Sequence, residues 1–331
     1  MEPSSKSQGR WPWQAIALGV GGGVSSAGLV YSATRGGVGL STLLFVLAPL
    51  PSQIAGFGWG LGAAIVAGVA GTLVMAMIAS VKVALVYVVV LALPVALITH
   101  LVLLARYDAQ GTLVDWFPAG RILAAIVVYG TLLPAVLAQF GDGSYRQLEP
   151  DFQRLLKQMV EQAPAGSVMG GISDEKLTSI ARLWAELMPA VVASYWTLFL
   201  AINTYLAGQV ARISGHLPRP WPKLAWINYP SEMAGGLVLA LIGIWYGGAA
   251  RGFGIGGAGA FFVGFLFLGL SVVHAVGRAR APWLIPASYV TLVIAGYVVA
   301  PLAVLVGLAE STFGIRSRLV AKPPDLPTGT V

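Results

Sequence analysis

VALVYVVVLALPVALITHLVLLA, residues 83–105, lies between Lys82 and Arg106 and holds no Asp, Glu, Lys or Arg. A helix rises about 1.5 Å per residue, so a run of this length spans the roughly 30 Å hydrocarbon core of a bilayer. Each ionised side chain placed in that core is disfavoured by about 2.5–3.5 kcal/mol. Six more stretches avoid charge in the same way: Arg35 to Lys82, Arg121 to Asp142, Glu186 to Arg212, Glu232 to Arg251, Arg251 to Arg278, and Arg280 to Glu310. Membrane barrel strands are short and alternate apolar with polar residues; these runs are continuous. The expected fold class is therefore all-α. It is a polytopic transmembrane helix bundle of eight to nine spans with an extramembrane amphipathic helical hairpin.

Composition agrees. The 331-residue chain is 57% hydrophobic and 10% charged, with a mean hydropathy of +0.79. Soluble domains carry roughly 25% charged residues. There are no cysteines, which excludes disulfides, thiolate catalysis and Cys-ligated metals. The net charge of +7 comes from basic residues placed singly at the ends of apolar runs. That placement suits anionic headgroups and a lipid bilayer, and no basic block is long enough to suggest nucleic acid.

Candidate spans fall at 15–33, 40–55, 60–79, 83–105, 122–140, 188–210, 234–250, 255–276 and 284–308. The second is short and holds Pro49 and Pro51, which predicts a broken or tilted segment. The chain divides into an N-terminal tail (1–14), a six-span core (15–211), a three-span region (212–310) and a polar, disordered tail (311–331). Lys6 and Arg10, the 211–233 loop and the 277–283 loop all fall in the cytoplasm if the N-terminus is inside. Lys6 and Arg10 before an apolar run imitate a signal peptide, but a retained anchor flanked by Trp11 and Trp13 is the expectation. Arg316, Arg318 and Lys322 obey the positive-inside rule only with eight crossings.

The 141–187 loop is the one sizeable extramembrane piece. Leu148, Phe152, Leu155, Leu156, Met159 and Val160 recur at helical spacing, as do Leu177, Ile180, Ala181, Trp184 and Leu187. Pro164, Gly166, Gly170 and Gly171 separate the two runs. A hairpin of two amphipathic helices lying on the membrane or bundle is expected, with a lid or partner-docking element as the sharper alternative.

Chemistry-bearing clusters are scarce. His100, His216 and His274 lack ligand spacing, so no metal is expected, and no catalytic residue or cofactor is assigned. Gly252-Phe-Gly-Ile-Gly-Gly257 matches a dinucleotide fingerprint in letters, yet it sits between two spans and reads as a turn or a close helix contact. Ala15, Gly19, Gly23 and Ala27 form one small-residue stripe on the first span, which serves internal packing or a coupling partner. Asn203, with Tyr195 and Trp196 upstream, is the candidate ligand-binding group, although Asn203 equally suits a tie between helices. Arg121, in Asp115-Trp-Phe-Pro-Ala-Gly-Arg121, is a further candidate for an anionic group, and headgroup anchoring suffices to explain it.

Four stretches, in order, carry a resemblance. They are Ala48-Pro-Leu-Pro51 before the glycine-rich Gly56–Gly71; Trp116-Phe-Pro-Ala-Gly-Arg121; Asn203-Thr-Tyr-Leu-Ala-Gly208 with Arg219-Pro-Trp-Pro222; and Gly307-Leu-Ala-Glu310 with Arg316. The chain resembles the bacterial multi-pass membrane proteins grouped as DUF2232, the YybS-like proteins. Its first six spans look like the substrate-binding S-components of energy-coupling-factor transporters. That resemblance implies docking to a coupling subunit through an A-x-x-x-A pattern in the first helix; here the row is Ala15-x-x-x-Gly19, and three further spans follow. The implied function is a small-molecule binding or transport-class subunit of the bacterial cytoplasmic (inner) membrane, with an unknown ligand and a membrane coupling protein as partner. The alternative is a non-transporting scaffold or envelope-assembly protein acting through the 141–187 hairpin. An intramembrane enzyme ranks last, for want of a catalytic cluster.

Overall fold

The computed structural model describes residues 12–141, 143–164 and 172–320. The N-terminal tail with Lys6, Arg10 and Trp11, the Gly166–Gly171 hinge and the tail beyond 320 lie outside the described residues. The chain is an all-α polytopic bundle, with eight helices among the described residues long and apolar enough to cross a membrane. It is an integral, multi-pass membrane protein.

In order, the helices are α1 (Pro12–Ala33), α2 (Val38–Leu47), α3 (Pro49–Trp59), α4 (Leu61–Ile78), α5 (Val81–Tyr87) and α6 (Leu93–Leu103). There follow α7 (Ala119–Ala138), α8 (Glu149–Glu161), α9 (Asp174–Ile213), α10 (Glu232–Tyr246), α11 (Gly248–Arg280), α12 (Leu284–Phe313) and α13 (Ile315–Leu319). The broken second span is present: α2 and α3 meet at Ala48, just before Pro49 and Pro51, and together make one candidate crossing, Gly39–Trp59. Gly60, at φ 97°, then lets α4 start after a single residue. Only glycine adopts that backbone freely. A widened π turn at Val88–Ala92 joins α5 to α6 just ahead of Pro94, which has no N–H to give to a regular turn.

Three elements differ from the sequence reading. Residues 105–116 form a small antiparallel hairpin, β1 (Ala105–Tyr107) with β2 (Leu113–Trp116), whose turn is held by Gln110 and Thr112 N–H groups on Asp108 Oδ1. The expected span 234–250 is only a 15-residue helix, α10, about 22 Å long and shorter than the other candidates. Its partner α11 runs for 33 residues. The expected second arm of the hairpin is no separate helix: α9 continues for 40 residues from Asp174 through the sixth span. The apolar periodicity of 173–187 and the charge-free run after Glu186 are phases of one helix, and nothing at Leu187–Pro189 breaks it.

By contacts the chain forms two compact units. Among the described residues, one takes 12–126 and Phe199–Asn228; the other takes Val127–Leu198 and 229–320.

Candidate functional site

Among the described residues, Ser26, Ser52, Gln53, Thr99, Asn203 and Thr204 are uncharged polar groups buried in the spans of the first unit. Ser26 on α1 and Ser52 on α3 share a 2.7 Å hydrogen bond, and Ser52 also donates to the Gly22 carbonyl. The Tyr87 hydroxyl, seated against Gly71, hydrogen-bonds both serines. Leu91, Ala92 and Val95 close the surrounding space. One step along α3, Gln53 donates from Nε2 to Thr204 Oγ1 of α9 at 3.0 Å, and Gln53 is fully buried.

Asn203 is also fully buried and donates to two carbonyls, Val46 O of α2 and Phe199 O of its own helix, each at 2.7 Å. It ties α9 to the second span, the duller of the two roles its sequence position allowed. Satisfying the amide donors leaves the acceptors. Gln53 Oε1, Asn203 Oδ1 and Thr99 Oγ1 are buried and make no hydrogen bond within the protein. Thr99, on α6, faces Gly56 of α3 so closely that an added Cβ at Gly56 would lie 3.0 Å from the threonine methyl. Within the first unit, helices α3, α6 and α9 thus carry these three acceptor oxygens, and α9 also Gln209 Oε1, with unused capacity in an apolar interior. An unsatisfied buried polar group costs about 1–3 kcal/mol.

At one end of this unit the 214–222 loop folds over the helices. His216 stacks on Trp59 with centroids 4.6 Å apart, and the Trp221 ring covers Gly208 between Phe57 and Tyr205. Arg219 is buried, donates from Nη1 to Val102 O and Phe117 O at 3.1 Å each, and lies over the Trp116 ring. Burial pushes its guanidinium down to about 10, against the pull of Asp115. It therefore remains charged at neutral pH and clamps the β hairpin to the end of α6.

The sequence-assigned residues do not assemble into one site. Tyr195 is exposed, and Trp196 stacks on Tyr129 at 5.0 Å; all three belong to the second unit, whereas Asn203 and its partners belong to the first. Arg121 is exposed at the start of α7, as a headgroup anchor would be. The α1 stripe is covered. Gly19, Gly23 and Ala27 are buried, and an added Cβ at Gly19 would sit 2.7 Å from Ala63 O and 2.9 Å from the Val66 side chain of α4. Gly23 meets Ala67 in the same way, and Ala15 is half-buried at the open end of the stripe. The face assigned to a coupling partner is the seam between α1 and α4, because small residues at every fourth position let α4 approach within backbone contact.

Sequence reasoning missed Gln53 and Thr99. Gln53 had a signal: it is the only side-chain amide between Arg35 and Lys82. Thr99 had none, since a lone threonine in an apolar helix usually bonds its own backbone. The Gly252–Gly257 run lies inside α11, where Gly254 and Gly257 pack on Ala240 of α10, so it is a close helix contact and no phosphate loop. His100 is exposed, and His274 Nδ1 bonds Leu270 O. Among the described residues no group of three metal-ligating side chains occurs. No family model matches the chain, and no curated protein or solved structure matches it either.

Proposed function

We propose that the protein is a small-molecule binding subunit of transport class, and that its first unit takes an uncharged ligand rich in hydrogen-bond donors. The observation that carries this reading is the trio of buried acceptors, Gln53 Oε1, Thr99 Oγ1 and Asn203 Oδ1, on three helices of one unit. The spans supplying them are free of ionised groups from 36 to 81 and from 83 to 105, so a charged ligand would have no counter-ion there. A donor-bearing ligand would repay what the empty acceptors cost. On this reading the likeness to S-components is kept for the six-span core and that to DUF2232 for most of the chain, in a bacterial cytoplasmic membrane with the N-terminus inside, and coupling through the α1 stripe is given up.

A second reading has its own support. α8 packs against the first turns of α9 through Leu156, Leu177 and Ala181, with Phe152 edge-on to Trp184. Lys157–Asp174 and Arg182–Glu149 pairs flank them. A structured arm continuous with a span suits a protein that docks an envelope partner.

One experiment separates the two. Native mass spectrometry of the full chain, released from membranes in mild detergent, would be run on the parent and on Gln53→Met/Thr99→Val. The parent should retain a recurrent neutral metabolite. The variant should lose it while its stability when empty changes little, because relief of two orphaned acceptors offsets the lost Gln53–Thr204 bond. A parent carrying only lipid, with a variant otherwise unchanged, would overturn the binding reading. Loss of a co-purifying protein on deleting 149–161 would favour the arm.

A further inference from the structure

Helix α12 begins at Leu284, a few residues after Arg280 closes α11, and its first turn packs on Gly277 through Ile285. A straight helix of its 30 residues would end about 45 Å away. It does not end there. Arg280 Nη2 donates to the carbonyl of Leu319 at 2.7 Å, and Leu319 closes α13, a five-residue helix of about 8 Å that starts one residue after α12 stops. Arg316 of α13 donates from Nη1 to Ser271 Oγ of α11, about 14 Å before Arg280 along that helix. Both ends of α12 therefore lie toward the C-terminal end of α11. The backbone shows where the direction changes: Ala295, at φ −129° and ψ 38°, breaks the helical path ahead of Gly296. The first arm stands off α11 by a cleft of about 350 Å³ between Val272–Val276 and Leu284–Thr291. The second arm closes onto α11 where Ala303 and Gly307 meet Gly269 and Phe265.

We infer that α12 does not cross the bilayer. It is a re-entrant helical hairpin, and it returns Arg316 and Arg318 to the membrane face that already carries Arg278 and Arg280. A buried lock holds the return. Glu310 accepts from Arg316 through both carboxylate oxygens, at 2.7 Å from the backbone N–H and 2.8 Å from Nε. Arg278, Arg280 and Arg318 stay exposed, so residues up to 40 apart in sequence build one basic surface. Its partner is the anionic headgroup layer of that leaflet. The opposite face is marked at the other end of α11, where Arg251 pairs with Glu186 at 2.6 Å just below the α8–α9 arm. With α10 crossing and α12 re-entrant, eight crossings place every cluster of basic residues named here on one side, as the positive-inside rule requires.

The absence of native cysteine makes the test direct. Single variants Ala279→Cys, Ser317→Cys and Gln158→Cys, at exposed positions, would be labelled with a membrane-impermeant maleimide in right-side-out and inverted vesicles. Ala279→Cys and Ser317→Cys should label in one vesicle orientation and Gln158→Cys in the other. Arg318→Cys serves where Ser317→Cys is poorly expressed. Labelling of Ser317→Cys or Arg318→Cys together with Gln158→Cys overturns the inference and makes α12 a crossing.

Discussion

Replacing Gly19 with alanine sets two readings of α1 against each other. The substitution restores the A-x-x-x-A pattern of an S-component coupling helix, so a coupling role predicts no harm. Packing predicts harm. The new Cβ would lie 2.7 Å from Ala63 O and 2.9 Å from Val66, against an ordinary contact of 3.4 Å or more, so α1 and α4 must part by roughly 0.7 Å. A gap of about 0.5–1 Å forfeits a quarter to a half of each contact along the seam, and overpacking of this kind costs about 1–3 kcal/mol. Alanine also returns up to about 1 kcal/mol of helix propensity. Gly28→Ala isolates that gain, because it lies on the same helix with nothing within 4 Å of the added Cβ. The two variants should differ by about 1–3 kcal/mol, or roughly 2–12 °C in midpoint at about 2–4 °C per kcal/mol. Heating the detergent-solubilised protein and measuring the monodisperse fraction by size-exclusion chromatography reads this difference. Gly19→Ala melting at or above Gly28→Ala would refute the seam and return the stripe to an outside partner.

Three other predictions rest on the buried cations Arg219 and Arg316. Arg219→Met removes two charge-assisted bonds, each worth about 1.5–3 kcal/mol, and should lower the melting midpoint by several degrees and expose the 105–116 hairpin to hydrogen exchange. Because burial lowers the Arg219 pKa to about 10, the folded protein carries a penalty that is constant below that value; the parent's stability should be flat in this respect from pH 6 to 9 and gain only as pH rises through about 10. Glu310→Gln leaves Arg316 charged and buried without its carboxylate, which costs about 3–5 kcal/mol where one partner of a buried pair is removed. Limited proteolysis at 314–320 should then be rapid, while Glu310→Leu/Arg316→Met should resist better than the single variant; equal cleavage of the two would refute the lock.

The bundle was legible because the bilayer imposes a one-dimensional rule: charge is excluded over a fixed length, and the intervals between charged residues measure that length directly. The rule has no term for direction or for helix ends, which is why the shortness of α10 and the bend in α12 were not foreseen. Residues 234–250 and 284–308 are as apolar as any crossing, but a short helix ending at Gly247–Gly248 and a bend at Ala295 depend on what α11 offers to pack against. The polar tail after 310 was misread for the same reason. Its first turns are helical because Glu310 and Ser271 hold Arg316, and neither contact has a local signature. The candidate site was read from the sequence at Asn203, whose burial follows from an amide in an apolar run; Gln53 offered the same signal and was passed over. The Asn203 partner Val46 lies 157 residues away and offers only a backbone carbonyl, which no side-chain pattern announces.

The division of labour among the buried polar groups bears on the choice between binding and docking. Amide side chains that serve only as helix ties have every reason to spend both donor and acceptor, since hydrocarbon offers no other partner. Asn203 and Gln53 spend their donors on helix ties and keep their acceptors unspent. The serine pair beside them behaves differently, with Ser26, Ser52 and Tyr87 closing a network among themselves. Gln209 divides its amide in the same way, donating to the Tyr205 hydroxyl and keeping Oε1 unspent. The one-sided satisfaction of Gln53 and Asn203 is what a ligand with N–H or O–H groups would complete, and apolar replacement at Gln53 and Thr99 separates the stability of the empty core from its capacity to bind.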